Sequence, residues 1–253
     1  MSDTDATSNS PFDGGMFLYD QPELLTKEMH GNLGLSATER PFEFVKDVKG
    51  LPLVCSEVQS AQKHYPVVFS EFENPVLVSI VGIVDDRNLF VDSSGHWDNT
   101  TYVPSYVRCH PFALARRPDD EFAVVIDRSC ANISDTPDIP FFDGDEMSAG
   151  TRSRVDFCGQ YNQERKRTND FCKKVKELGL LTGQRVAQTL SNGEEERVAD
   201  YVTVDPEKLT NLDKDVLQEL HMDGSLSVIY GQLFSLENWN RIIMRRNRLL
   251  TAN

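Results

Sequence analysis

The side chains best suited to move protons or hold a metal near neutral pH are five histidines, His30, His64, His96, His110 and His221. His96 and Asp98 form a His-x-Asp pair, two of the three ligands of a facial iron triad, and His221 is the far-downstream histidine that would complete it. The competing expectation is a loop after Ser93-Ser94-Gly95, in which Trp97 packs inward and its polar neighbours face water. Cys109-His110 sets a thiol beside an imidazole, but neighbours in an extended segment point to opposite faces, which argues against a nucleophile and its base. The other cysteines, Cys55, Cys130, Cys158 and Cys172, lie far apart and form no Cys-x-x-Cys pair, so neither a disulfide framework nor a zinc knuckle is indicated. Asp143-Gly144-Asp145-Glu146 invites a calcium reading but lacks the ligand spacing of an EF-hand loop and is expected to be an acidic turn. Nucleophile elbows, P-loops, dinucleotide-binding glycines, HExxH helices and zinc-deaminase signatures are all missing, so no cofactor or metal is expected.

A second group of residues suits binding better than catalysis. His64, Tyr65, Trp97, Tyr102, Tyr106 and Arg108 combine rigid amphipathic rings with a guanidinium, the makings of a peptide- or sugar-binding surface. The alternative is that they alternate between core and solvent along edge strands. Arg241, Arg245, Arg246 and Arg248 also cluster near the C-terminus, as a small anion-binding patch or as cations complementing the end of a last helix.

These residues need elements to position them. Strands are expected at Pro66–Ser70, Val76–Val84, Leu89–Val91, Tyr102–Val107 and Phe122–Ile126, with Asp85-Asp86, Ser93-Ser94-Gly95 and Pro118-Asp119-Asp120 as turns. A meandering antiparallel sheet is the economical arrangement. Pro104 and Pro111 cannot donate to a ladder, so their segment is expected either to lie at a sheet edge, which would then be a candidate docking site for a partner or a second copy, or to bend sharply. Phe157, Tyr161, Thr168, Phe171, Val175 and Leu178 recur at helical spacings, so residues 151–178 read as a long helix ended by Gly179. Arg185–Leu190 and Val198–Val204 flank Ser191-Asn192-Gly193, a hairpin signal. The rest reads as helices. One starts at Asp213 and breaks at Asp223-Gly224, and the chain restarts at Leu226 and again after Ser235, with Trp239, Ile242, Ile243, Leu249 and Leu250 as a buried stripe. The expected class is α+β, mainly antiparallel sheet in the N-terminal half, then a long helix, a hairpin and C-terminal helices.

Composition bounds the partners. The 253 residues carry a net charge of −14, which repels phosphate backbones and anionic lipid, so nucleic acid is not an expected partner. The longest apolar run, Val76–Val84, is too short to span a bilayer. Residues 1–15 are polar and read as a flexible tail, with neither the basic nor the apolar region of a secretory signal, and residues 16–253 read as one domain. Together with five unpaired thiols this leads to the expectation of a cytoplasmic protein.

Several stretches then stand out in combination: His64-Tyr65-Pro66-Val67-Val68-Phe69-Ser70, Asn88-Leu89-Phe90-Val91-Asp92 with Gly95 and Trp97, and Tyr102-Val103-Pro104-Ser105-Tyr106-Val107-Arg108 with Pro111-Phe112. Phe141–Glu146, Gly179-Leu180-Leu181, Val204–Leu209, and Ile229–Leu236 with Asn238-Trp239 extend the pattern over nearly the whole chain. It resembles the SapC family of bacterial proteins, with Cys109-His110 standing where an arginine and an aromatic residue would be expected. The resemblance implies a link by name to bacterial surface-layer loci and no established reaction, cofactor or catalytic residue. A non-enzymatic accessory protein that recognises a protein or peptide is therefore the favoured expectation. The alternative is an enzyme of unrecognised type, for instance a non-haem iron oxygenase using His96, Asp98 and His221.

Overall fold

The computed structural model describes residues 16–83, 87–116, 122–189 and 193–251. In chain order the elements are β1 Pro22–Leu24, α1 Lys27–His30, β2 Gly34–Leu35, β3 Gly50–Pro52, α2 Val58–Ala61, β4 Val67–Phe69, β5 Leu77–Ile80 and α3 Ser105–Cys109. They continue with β6 Phe112–Arg116, β7 Phe122–Asp127, β8 Ile133–Ser134, β9 Ile139–Pro140, β10 Phe142–Asp143, β11 Glu146–Met147 and α4 Ala149–Glu177. The last third holds β12 Leu181–Thr189, β13 Glu195–Val204, α5 Pro206–Thr210, α6 Lys214–Met222, α7 Ser225–Ser235 and α8 Asn238–Thr251. Several antiparallel sheets with a long helix make this an α+β protein. No described helix is long and apolar enough to cross a membrane.

The contacts divide the chain into two compact units. The first takes the N-terminal residues to Thr38 together with Cys109–Gly159, and contains the sheets β1-β7-β6 and β8-β2-β9 and the small hairpin β10-β11. Its tightest polar knot is Asp127, whose carboxylate accepts from the Gln21 amide at 3.0 Å and the Ser129 hydroxyl at 2.7 Å and meets His110 Nε2 at 3.1 Å. The second unit takes Glu39–Arg108 and Gln160–Asn253. Its five-stranded sheet, in the order β12-β13-β4-β5-β3, pairs the late hairpin with early strands through Val202 against Phe69.

The sequence explains these elements locally. Gly179 stops α4 because its φ of +65° is one that side-chain-bearing residues avoid, and Gly224 does the same between α6 and α7 at +82°. Asp205 caps α5, accepting from the Glu207 amide at 2.9 Å, with Pro206 as the first helical residue. The core of the second unit uses β-branched and aromatic side chains of the sheet: Tyr65, Val67, Phe69 and Leu77 are almost fully buried. On the other side Gln232 of α7 is wholly buried, and its amide nitrogen donates to the Val67 carbonyl at 2.9 Å and to the Thr203 hydroxyl at 2.9 Å.

Several expectations need correction. Tyr102–Val107 is not an edge strand: Pro104 opens α3, its carbonyl accepting from the Val107 and Arg108 amides at 3.0 and 3.2 Å. No edge strand therefore runs through Tyr102–Val107; Pro111 instead directly precedes β6, an outer strand of the β1-β7-β6 sheet, and the outer strands of the five-stranded sheet are β12 and β3. Leu89–Val91 makes one bridge, Val91 to Trp97, in place of a ladder. The early strands do not form a single meander, because they are distributed over separate sheets. Cys109 closes a helix, so the Cys109-His110 step is not extended, and His110 is engaged by Asp127. Ser235 ends α7, donating to the Gln232 carbonyl at 2.5 Å, and does not cap α8. Trp239 and Ile242 are buried as expected, but Leu249 and Leu250 are 36% and 56% exposed. The tail 1–15, Asp85-Asp86, Pro118-Asp119-Asp120 and Ser191-Asn192 lie outside the described residues.

Candidate functional site

Three segments of the second unit meet around an open cleft of about 1120 Å³: the Lys63–His64 corner, the stretch from Arg87 to Thr100, and the exposed side of α8. The corner follows α2, and Asn238 fastens it to α8. Its side-chain amide donates to the carbonyls of Gln62 at 2.7 Å, Tyr65 at 3.2 Å and Ser235 at 2.9 Å. Arg241 adds a bond of 2.6 Å to the Lys63 carbonyl. Asn238 and Arg241 thus tie the start of α8 to the Lys63–His64 corner.

The Arg87–Thr100 stretch is shaped by polar side chains that turn back on their own backbone. Asn88, wholly buried, donates to the Val45 carbonyl at 3.2 Å and accepts from the Phe90 amide at 2.9 Å. Asp92 accepts from the amides of Ser94 and His96, each at 2.9 Å, which closes a tight loop around Gly95, itself at a φ of +76°. Asp98 accepts from the amide and hydroxyl of Thr100 at 3.0 and 2.6 Å. Beneath this loop Phe90 stacks on Trp97, with ring centroids 6.3 Å apart, and meets Tyr65 edge-on at 4.6 Å. These three rings form the underside of the cleft wall.

Electrostatically the cleft is the reverse of the protein as a whole. Lys63, Arg87, Arg241, Arg245 and Arg248 line it against the carboxylates of Asp92 and Asp98. Arg245 is committed: it lies over the Phe90 ring at 4.2 Å and pairs with Asp98. Among the described residues the other four cations have no carboxylate partner. Burial opposes ionisation of Asp98, but the Thr100 hydroxyl and the Arg245 guanidinium outweigh it and hold the carboxyl at about 2. Burial, then the charges of Arg241 and Lys63, push the His64 imidazole below its ordinary range.

A second polar cluster lies around Glu57, which is 5% exposed. Its carboxylate accepts from the Tyr102 hydroxyl and the Ser105 amide, both at 2.6 Å, and from the Val54 amide at 3.2 Å. Arg108 donates to the Ser105 hydroxyl at 2.8 Å and to the Tyr102 oxygen at 3.2 Å, with its guanidinium 5.6 Å from the centre of the Tyr102 ring. Burial and the neighbouring carboxylate raise the Tyr102 phenol above its usual range.

The six residues singled out for binding are thus divided. His64 lines the cleft. Tyr65 and Trp97 are buried, Tyr65 donating its hydroxyl to the Tyr102 carbonyl and Trp97 its ring nitrogen to the Thr101 hydroxyl at 3.0 Å. Tyr102 and Arg108 belong to the Glu57 cluster, and Tyr106 packs against Tyr161 with ring centroids 5.8 Å apart. His96 and Asp98 line the cleft, whereas His221 is exposed in the last turn of α6, and no group of three such side chains suited to a metal occurs among the described residues.

Lys63 and Arg87 were invisible to sequence reasoning as site residues. For Arg241, Arg245 and Arg248 a signal existed, since steps of four and three place them on one helical face. Arg246 falls off that face, is 8% exposed and pairs with Glu196 at 3.0 Å.

No curated protein and no solved structure matches this chain. The family model described as SapC matches residues 25–242. That match takes in the whole span from the Lys63–His64 corner to the first turn of α8, and the chain accordingly belongs to the SapC family.

Proposed function

We propose that this chain is a non-enzymatic accessory protein that recognises a segment of a protein or peptide, and that the segment lies in the cleft between the Lys63–His64 corner, the Arg87–Thr100 stretch and α8. The observation that carries this reading is the cleft itself. It is open, it is held by a rigid underlay of three packed rings, and its cations are left over after the local ion pairs are made. Concave surfaces with apolar lining and a few convergent polar groups are where ligands bind. The link to bacterial cell-surface, or S-layer, systems comes with the family name and belongs to the same proposal, as does a place of work on the cytoplasmic side.

The test is a screen of displayed random peptides against the full-length protein, followed by amide hydrogen exchange with the enriched sequences. Protection confined to residues 63–64, 87–100 and 241–249 supports the reading. Absence of enriched peptides, or protection that falls elsewhere, overturns it.

A further inference from the structure

We infer that the segment taken up by the cleft is acidic, with aspartate or glutamate side chains interleaved with large apolar ones. This rests on the binding reading above and names the partner's chemistry. Five cations face two carboxylates across the cleft, in a chain whose net charge is −14. Those two carboxylates are also occupied: Asp92 by the Ser94 and His96 amides, Asp98 by Thr100 and Arg245. Arg241 is answered in part by the Lys63 carbonyl at 2.6 Å, whereas the charges of Lys63, Arg87 and Arg248 line the cleft with no carboxylate partner among the described residues.

Complementing the dipole of α8 accounts for only part of this charge. Arg248 sits in the last turn, where a cation is favourable, but Arg241 is the fourth residue of the helix, near the positive end, and the first turn holds no acidic residue. Arg241 is held there by its bond to the Lys63 carbonyl, and its charge adds to that of the cleft rather than to the stability of the helix.

Apolar groups share the same walls. Met244 and Leu249 are 54% and 36% exposed along the cleft, and the half-buried Leu89 lies on the stretch opposite. A bare inorganic anion would leave that surface wet, whereas a peptide carrying both carboxylates and apolar side chains uses both. A long polyanion or a lipid surface would additionally meet the acidic remainder of the molecule, which repels it at ranges beyond a Debye length of about 8 Å only weakly but at contact strongly.

The experiment is fluorescence anisotropy with full-length protein and short labelled peptides sharing one spacing of Leu and Phe, in a Glu version, a Gln version and a Lys version. Anionic phosphatidylglycerol vesicles and single-stranded DNA serve as further probes. Tight binding of the Glu peptide alone, weakened roughly tenfold or more in Arg87→Glu/Arg248→Glu and by added salt, is the expected result. Arg248 is exposed and Arg87 half-buried, and neither makes an ion pair among the described residues, so the variant is expected to keep its fold; a cooperative circular-dichroism melt, lowered only by the lost dipole interaction of Arg248, documents this. Equal binding of Gln and Glu peptides in the cleft would overturn the acidic inference while leaving the peptide-binding reading intact. Binding of vesicles or DNA in place of every peptide would overturn both.

Discussion

The cleft and the Glu57 cluster are built from the same materials, arginine, carboxylate and aromatic ring, and even share a hydrogen bond, since Tyr65 under the cleft donates to the carbonyl of Tyr102. They differ in what is left over. Around Glu57 every strong group is answered locally: the carboxylate has three donors, and Arg108 is spent on Ser105 and Tyr102. In the cleft Arg245 is spent on Asp98 and the Phe90 face and Arg241 on the Lys63 carbonyl, whereas Lys63, Arg87 and Arg248 have no carboxylate partner among the described residues. Residue type does not distinguish a structural from a binding arginine; the local balance of donors and acceptors does.

The comparison breaks most visibly at the residue both regions lean on. Trp97 stacks on Phe90 beneath the cleft and bonds Thr101, the neighbour of Tyr102. Trp97→Ala leaves a large cavity and is expected to destabilise the protein by about 3–5 kcal/mol, with peptide binding lost alongside. Denaturant midpoints measured with and without peptide check this, and a stable variant that binds normally would show that the ring underlay does not hold the cleft.

Glu57→Ala separates the two regions. It strands the Tyr102 hydroxyl and two amides, one of them the entry to α3, and is expected to cost about 3 kcal/mol. Peptide affinity, measured well below the midpoint, is expected to stay within a factor of about two of wild type. Arg87→Glu/Arg248→Glu is expected to do the reverse, with stability lowered by no more than about 1 kcal/mol from the reversed charge at the end of α8 and binding weakened roughly tenfold or more. Similar profiles for the two variants would erase the distinction between spent and unspent charge.

What the sequence made legible follows the same division between local and distant causes. The long helix was visible because Phe171, Val175 and their partners repeat at its period, and the β12–β13 hairpin because strand-like runs flank Gly193. Tyr102–Val107 was misread because its β-branched and aromatic residues suggest a strand, while Pro104-Ser105 is an equally good helix entry that only Glu57, from another segment, selects. Tyr65 and Trp97 looked like binding residues because amphipathic rings serve cores and surfaces alike. Their burial is decided by distant partners such as Asn238, which bonds Gln62 across most of the chain. The cleft brings Lys63, Arg87 and Arg241 together from far-separated segments, so its α8 face and the single residues His64, His96 and Asp98 could be read in advance but not their convergence.

The smallest expected effect is also the one that reads the ligand's charge directly. Burial, Arg241 and Lys63 hold the His64 imidazole below its ordinary range, so it is neutral in the free protein at neutral pH. For folding, a depressed pKa means that the unfolded chain takes up the proton first, so this group's contribution is present above about pH 6.5 and declines as pH falls toward the folded value. For binding the sign reverses. A ligand carboxylate beside Lys63 and Arg241 favours the imidazolium, so the complex takes up a proton and affinity rises as pH falls. Asp98, held at about 2, stays ionised across this window, and Asp92 is held below its usual range by the His96 amide and the Ser94 hydroxyl; Lys63, Arg87, Arg241, Arg245 and Arg248 face them across the cleft. The expected gain for the Glu peptide between about pH 7.5 and 5.5 is roughly threefold, ending where the ligand's own carboxylates begin to protonate. His64→Gln should flatten the profile without moving the affinity at the alkaline end. A slope that survives in this variant would show that the proton is not taken up at His64, whereas no slope in the wild type would mean that no carboxylate approaches the Lys63–His64 corner.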